Sequence, residues 1–81
     1  MPTAQDFQIA LKELFRNAGG QYIDINSGEL HRKVGGYPGH NHRMPVCCEV
    51  MYKNMRGKDA VLEAPLSGKG ASLTVRYVLP R

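Results

Sequence analysis

Residues 40–56 read HNHRMPVCCEVMYKNMR, and the reading of this stretch decides the fold. It begins with the polar residues His40, His42 and Arg43, enters a helix near Pro45 and leaves through Asn54, Arg56 and Gly57. Val46, Cys47, Val50, Met51, Asn54 and Met55 recur at three- and four-residue steps. That spacing predicts one stripe facing a core while Glu49, Tyr52 and Lys53 face out. Pro45 suits the first turn, where its missing N–H leaves no bond unmade. His42 and Arg43, just ahead of it, fall at the positive end of the helix dipole, where an anion such as phosphate is favoured. The helix is therefore expected to be the element shown to a partner.

Toward the amino end, Thr3 followed by Asp6 forms a capping signature, and Phe7, Ala10, Leu11, Leu14, Phe15 and Ala18 make one helical stripe that Gly19 and Gly20 end. Residues 21–25 alternate, with Ile23 and Ile25 on one side, as in a short strand that is an edge or a third strand. Asn26 or Ser27 caps a second helix over residues 27–34 whose Leu30 and Val34 face inward; Asn26 has Glu29 three residues on, as a capping box wants. Residues 35–41, GGYPGHN, are a loop. His31 is expected to pack or to hydrogen-bond locally.

Toward the carboxyl end, residues 56–59 form a turn and residues 60–64 a strand with Leu62 inward. Residues 65–70, PLSGKG, form a loop, and residues 72–79 alternate strictly with Leu73, Val75, Tyr77 and Leu79 on one face. The last two strands make a hairpin. Met51 and Met55 are expected to fill the core beneath it.

The 81 residues make one domain, residues 1–81, and leave no room for a second core. No apolar run approaches a membrane span, and Met1 leads into a polar capped helix instead of a signal peptide, so the expected compartment is the cytoplasm. Charge is distributed unevenly. Residues 1–42 balance, whereas residues 43–81 carry Arg43, Lys53, Arg56, Lys58, Lys69, Arg76 and Arg81 against Glu49, Asp59 and Glu63. The whole net charge of +4 thus lies in the second half, which predicts a polyanionic partner.

The order helix, strand, helix, helix, strand, strand, with a basic glycine-bearing loop between the last two strands, resembles a winged helix-turn-helix domain over nearly the whole chain. The block ELHRKVGGYPGHNHRMPVCCEVM also resembles a segment of small bacterial proteins of unassigned role. The resemblance implies an α+β fold of three helices on a small antiparallel sheet. It also makes residues 27–34 the supporting helix, residues 45–55 the recognition helix and residues 65–70 the wing. The function it implies is non-catalytic binding of double-stranded DNA, as a regulator or as the recognition piece of a larger assembly. His42, Arg43, Tyr52, Lys53, Asn54, Arg56 and Lys69 are then the nucleic-acid-binding residues: Lys and Arg neutralise phosphate, and Asn and Arg are shaped to read adenine and guanine edges. Asn54 also lies on the inward stripe, and Glu49 on the presented face repels phosphate. A single footprint of this size buries roughly 600–1,000 Å², which favours a homodimer or a protein partner alongside.

Two other readings compete. A protein–protein interaction module with the same fold is one. A small zinc-stabilised domain is the other, since His31, His40, His42, Cys47 and Cys48 suffice for tetrahedral zinc, although adjacent cysteines on a helix point about 100° apart. As neighbours, Cys47 and Cys48 are expected to be reduced thiols. No cofactor is expected, and no enzyme: the contiguous His40-Asn41-His42 lacks the spread of a ββα nuclease motif, and PLSGKG lacks the spacing of a nucleotide loop.

Overall fold

The computed structural model describes residues 2–37, 39 and 42–81. The first helix, α1 (Ala4–Asn17), starts at the expected cap. Thr3 Oγ1 accepts from the Asp6 N–H at 3.2 Å, and the Asp6 carboxylate accepts from the Thr3 N–H at 2.8 Å. Two donors that the first turn would otherwise leave open are thereby satisfied. The helix buries Phe7, Ala10, Leu11 and Phe15 along one stripe and ends at Ala18, one residue ahead of the two glycines.

After β1 (Tyr22–Asn26), Asn26 serves two elements at once. Its Oδ1 accepts from the Glu29 N–H at 3.1 Å, capping α2 (Ser27–Val34). Its amide donates to the Ala71 carbonyl at 3.0 Å, so the start of α2 is also tied to the chain leading into the last strand. Gly28 lets the two segments approach closely at that junction: a Cβ there would stand 3.1 Å from the Ala71 carbonyl oxygen. The third helix, α3 (Met44–Lys53), follows a nine-residue connection over residues 35–43.

Two strands close the chain, β2 (Ala60–Glu63) and β3 (Thr74–Val78). They form with β1 an antiparallel sheet of order β1-β3-β2, in which the last strand is central. Leu73, Val75, Tyr77 and Leu79 are all buried, as the strict alternation of this segment demands. They pack with Phe7, Leu11 and Met51 in one core. The architecture is α+β, three helices on a three-stranded sheet, in the expected order. The expectation for Leu62 fails. The ladder slips between Val61 and Glu63, leaving Leu62 as an unpaired extra residue that is 48% exposed.

Arg81, which the sequence offers as one more surface cation, is nearly enclosed. Its guanidinium and the Asp59 carboxylate meet at 2.8 Å with side chains only 5% and 1% exposed. The guanidinium lies over Phe15 at 4.8 Å and Tyr77 at 5.1 Å, and donates to the Asn54 carbonyl at the end of α3. Burial alone would raise the Asp59 pKa, but N–H donors from Val78 and Arg56, with Arg81 itself, outweigh it and hold the carboxyl below its ordinary range.

Removing one partner of this pair leaves a buried charge alone. Arg81→Ala is expected to cost about 3 kcal/mol of stability by denaturant unfolding. Because the Asp59 carboxyl is held low, the stability it contributes is present above about pH 4 and is lost as pH falls; in Arg81→Ala that part of the acid loss should shrink.

Candidate nucleic-acid interface

The amino end of α3 is closed by histidines. His31, on α2 and fully buried, accepts the Arg43 N–H on Nε2 at 2.9 Å. His42 accepts the Met44 N–H on Nδ1 at 3.3 Å. Arg43 itself occupies the N-cap without a side-chain cap bond, and Pro45 has no N–H. The donors expected to attract an anion are therefore largely taken by imidazole nitrogens. His31 is expected to pack or to hydrogen-bond locally; it packs, and the N–H it accepts comes from 12 residues away. Its ring packs edge-on against Phe7 at 4.9 Å and tilts over Tyr37 at 5.4 Å. The expectations placed on His40 lie outside the described residues.

Along α3 the inward face is broader than the sequence stripe suggests. Met44, Cys47, Cys48, Val50 and Met51 are all buried. The Tyr77 hydroxyl donates to the Met51 carbonyl at 2.8 Å, fixing the helix to the central strand. Glu49 and Lys53 face out as expected, but Tyr52 does not: it is half-buried, and its hydroxyl donates to the Gly68 carbonyl. Asn54 follows the inward stripe. Its amide donates to Gln8 Oε1 at 2.8 Å and to the Val50 carbonyl at 2.7 Å, and its Oδ1 accepts from Gln8 at 2.9 Å. Both edges of this amide are engaged within the fold.

The loop expected to act as a wing lies against the helices. The Gly70 carbonyl accepts from Ser27 Oγ at 2.6 Å, from Cys48 Sγ at 3.4 Å and from the Leu73 N–H at 3.2 Å. Gly68 has φ of +81°, a conformation open to glycine, and presents its carbonyl to Tyr52. Lys69 turns back onto α3 and meets Glu49 at 2.9 Å. That contact is the main reason the Glu49 carboxyl is held below its ordinary range, and Lys53 adds to it. The basic loop residue thus offsets the acidic helix residue that would repel phosphate.

Of the seven expected binding residues, Tyr52, Asn54 and Lys69 are occupied internally. His42 is exposed with Nδ1 engaged, Arg43 is half-buried at the cap, and Lys53 and Arg56 are exposed at the carboxyl end of α3. Lys53 there complements the negative end of the helix dipole. The two groups of cations sit at opposite ends of a ten-residue helix.

Cys47 and Cys48 are free thiols, both fully buried. Cys47 Sγ faces the Ser27 carbonyl at 3.6 Å, and burial raises its thiol to about 12. Cys48 is raised by burial too, with Ser27, Gly70 and Lys69 opposing. Among the described residues no three His, Cys, Asp or Glu side chains come together in a way that could hold a metal ion. Among the described residues no helix is long and apolar enough to cross a membrane. Compared with known protein families, curated proteins and solved structures, the chain matches none.

Two outcomes follow from the packing of α3. In the native protein both thiols should react with a neutral alkylating reagent at least about 100-fold more slowly than in denaturant, since reaction requires opening. With Cys47 and Tyr77 both raised by burial, the unfolded chain loses these protons first. Stability should be full below about pH 8.5 and decline as pH rises toward 12, measured by urea midpoints.

Proposed function

We propose that this protein is a winged-helix-like domain that binds double-stranded DNA without catalysis, as a regulator or as the recognition piece of a larger assembly. The element order and the central position of β3 support the winged-helix reading. One observation carries the binding reading. In residues 43–81 the carboxylates Glu49 and Asp59 are neutralised by Lys69 and Arg81, while Lys53 and Arg56 stay exposed together at the end of α3. What this half of the molecule presents to solvent around α3 is therefore cationic. Lys53 and Arg56 contact phosphates, and His42 and Arg43 extend the contact at the amino end. Tyr52, Asn54 and Lys69 hold the presented surface in place and do not read bases.

A second reading, a protein-interaction module of the same fold, is favoured by β2. This edge strand is exposed throughout; Val61 and Leu62 point to solvent, and Leu66 beyond it is 110% exposed. Edge strands with apolar side chains serve for strand addition by a partner.

A random duplex titrated at several salt concentrations separates the two. On the DNA reading, affinity falls steeply between about 50 and 200 mM salt, and the double variant Lys53→Ala, Arg56→Ala flattens the log–log slope by about two. Absence of duplex binding at about 50 mM salt would remove the DNA reading and leave the β2 edge as the working surface.

A further inference from the structure

The two imidazoles at the head of α3 act as hydrogen-bond acceptors, a role that only an unprotonated ring nitrogen can play. His31 Nε2 receives the Arg43 N–H at 2.9 Å, and His42 Nδ1 receives the Met44 N–H at 3.3 Å. A neutral His31 that accepts on Nε2 must carry its hydrogen on Nδ1, and Nδ1 is buried with no partner among the described residues. The same ring has no exposed surface. The ring centroids of His31 and His42 are 6.4 Å apart, and Tyr37 packs on both, at 5.4 and 5.9 Å.

The groups around these rings come from α1, α2, the connection and the head of α3. From α1 comes the Phe7 ring, whose neighbour Asp6 is committed to the Thr3 cap. From α2 comes Arg32, its guanidinium 5.7 Å from the Tyr37 ring centre. From the connection come Tyr37 and His42, and from the head of α3 come Arg43 and the positive end of the helix dipole. A proton added to His31 at Nε2 removes the acceptor of the Arg43 N–H.

We propose that His31 and His42 form an acid-operated latch. In the neutral rings it holds Arg43 and the first turn of α3 against α2; protonation by solvent releases them. On release, the Arg43 and Met44 N–H groups lose their acceptors, and two imidazolium charges stand where the dipole is already positive. The core formed by α1, β3 and the rest of α3 stays closed, because no hydrogen bond within it is accepted by an imidazole. The latch is independent of the DNA reading and stands or falls by itself.

The test follows amide hydrogen exchange of Arg43 and Met44 by NMR between about pH 7.5 and 5, each rate divided by that of Leu11 in α1 to remove intrinsic pH dependence. The expected result is a rise of at least about 10-fold in the Arg43 ratio on acidification, and a pH-independent ratio in His31→Gln, whose amide oxygen accepts without titrating. A constant Arg43 ratio in the unaltered chain overturns the latch. So does a His31 ring found with its hydrogen on Nε2 at pH 7.5 by nitrogen shifts, a measurement that does not need the variant to fold. His42→Gln should remove the pH dependence of the Met44 ratio alone; if it also removes that of Arg43, His31 is not the acceptor that titrates.

Discussion

The carbonyl oxygen of Gly70 gathers donors from three elements: the Ser27 hydroxyl at the start of α2, the Cys48 thiol within α3 and the Leu73 N–H at the approach to β3. A Cβ on Gly70 would stand 3.0 Å from the Pro65 ring, tighter than an ordinary contact, so a side chain there would push Pro65 aside. Once the oxygen is seated, the rest of the segment has little freedom. Gly68 meets Tyr52, Lys69 meets Glu49, and the chain enters β3 in the register that places Tyr77 beneath Met51. A buried carbonyl left unpaired costs about 1–3 kcal/mol, so each donor reinforces a loop conformation that local sequence alone does not impose.

That seating determines how charge is displayed. A free glycine-rich loop would extend Lys69 away from the body. Here the loop is stitched down and its lysine offsets Glu49, while Arg81 is drawn inside to offset Asp59. The second half of the chain keeps its excess of cations, and with Lys69 and Arg81 paired to carboxylates, Lys53, Arg56 and Lys58 stay exposed at the end of α3 and in the turn after it. Sequence counting locates the excess; the ion pairs decide which cations remain on display.

The elements written in local patterns were legible. The Thr3 and Asp6 cap, the stripe of Phe7, Leu11 and Phe15, the Asn26 cap and the alternation through Val75 and Tyr77 all rest on neighbours within four residues, and each appears where the pattern puts it. What escaped depends on pairings across the chain. His31 finds Arg43 12 residues on, Asn54 finds Gln8 across 46, and Arg81 finds Asp59 across 22. Helical periodicity carries no trace of such partners. Leu62 departs from the inward place that alternation predicts for a related reason: a bulge breaks the two-residue period between Val61 and Glu63. Tyr52 lies on the face that periodicity turns outward, but a phenol is long enough to reach the loop that folds over it.

An NMR titration of isotopically labelled protein with a random duplex at low salt tests the central claim most directly. If the exposed cations around α3 are the working surface, shifts should concentrate at Lys53, Arg56 and the turn beyond them, with a second set at His42 and Arg43, and the Gly70 region should stay still. An unchanged spectrum, or changes confined to β2 and Leu66, would contradict the account.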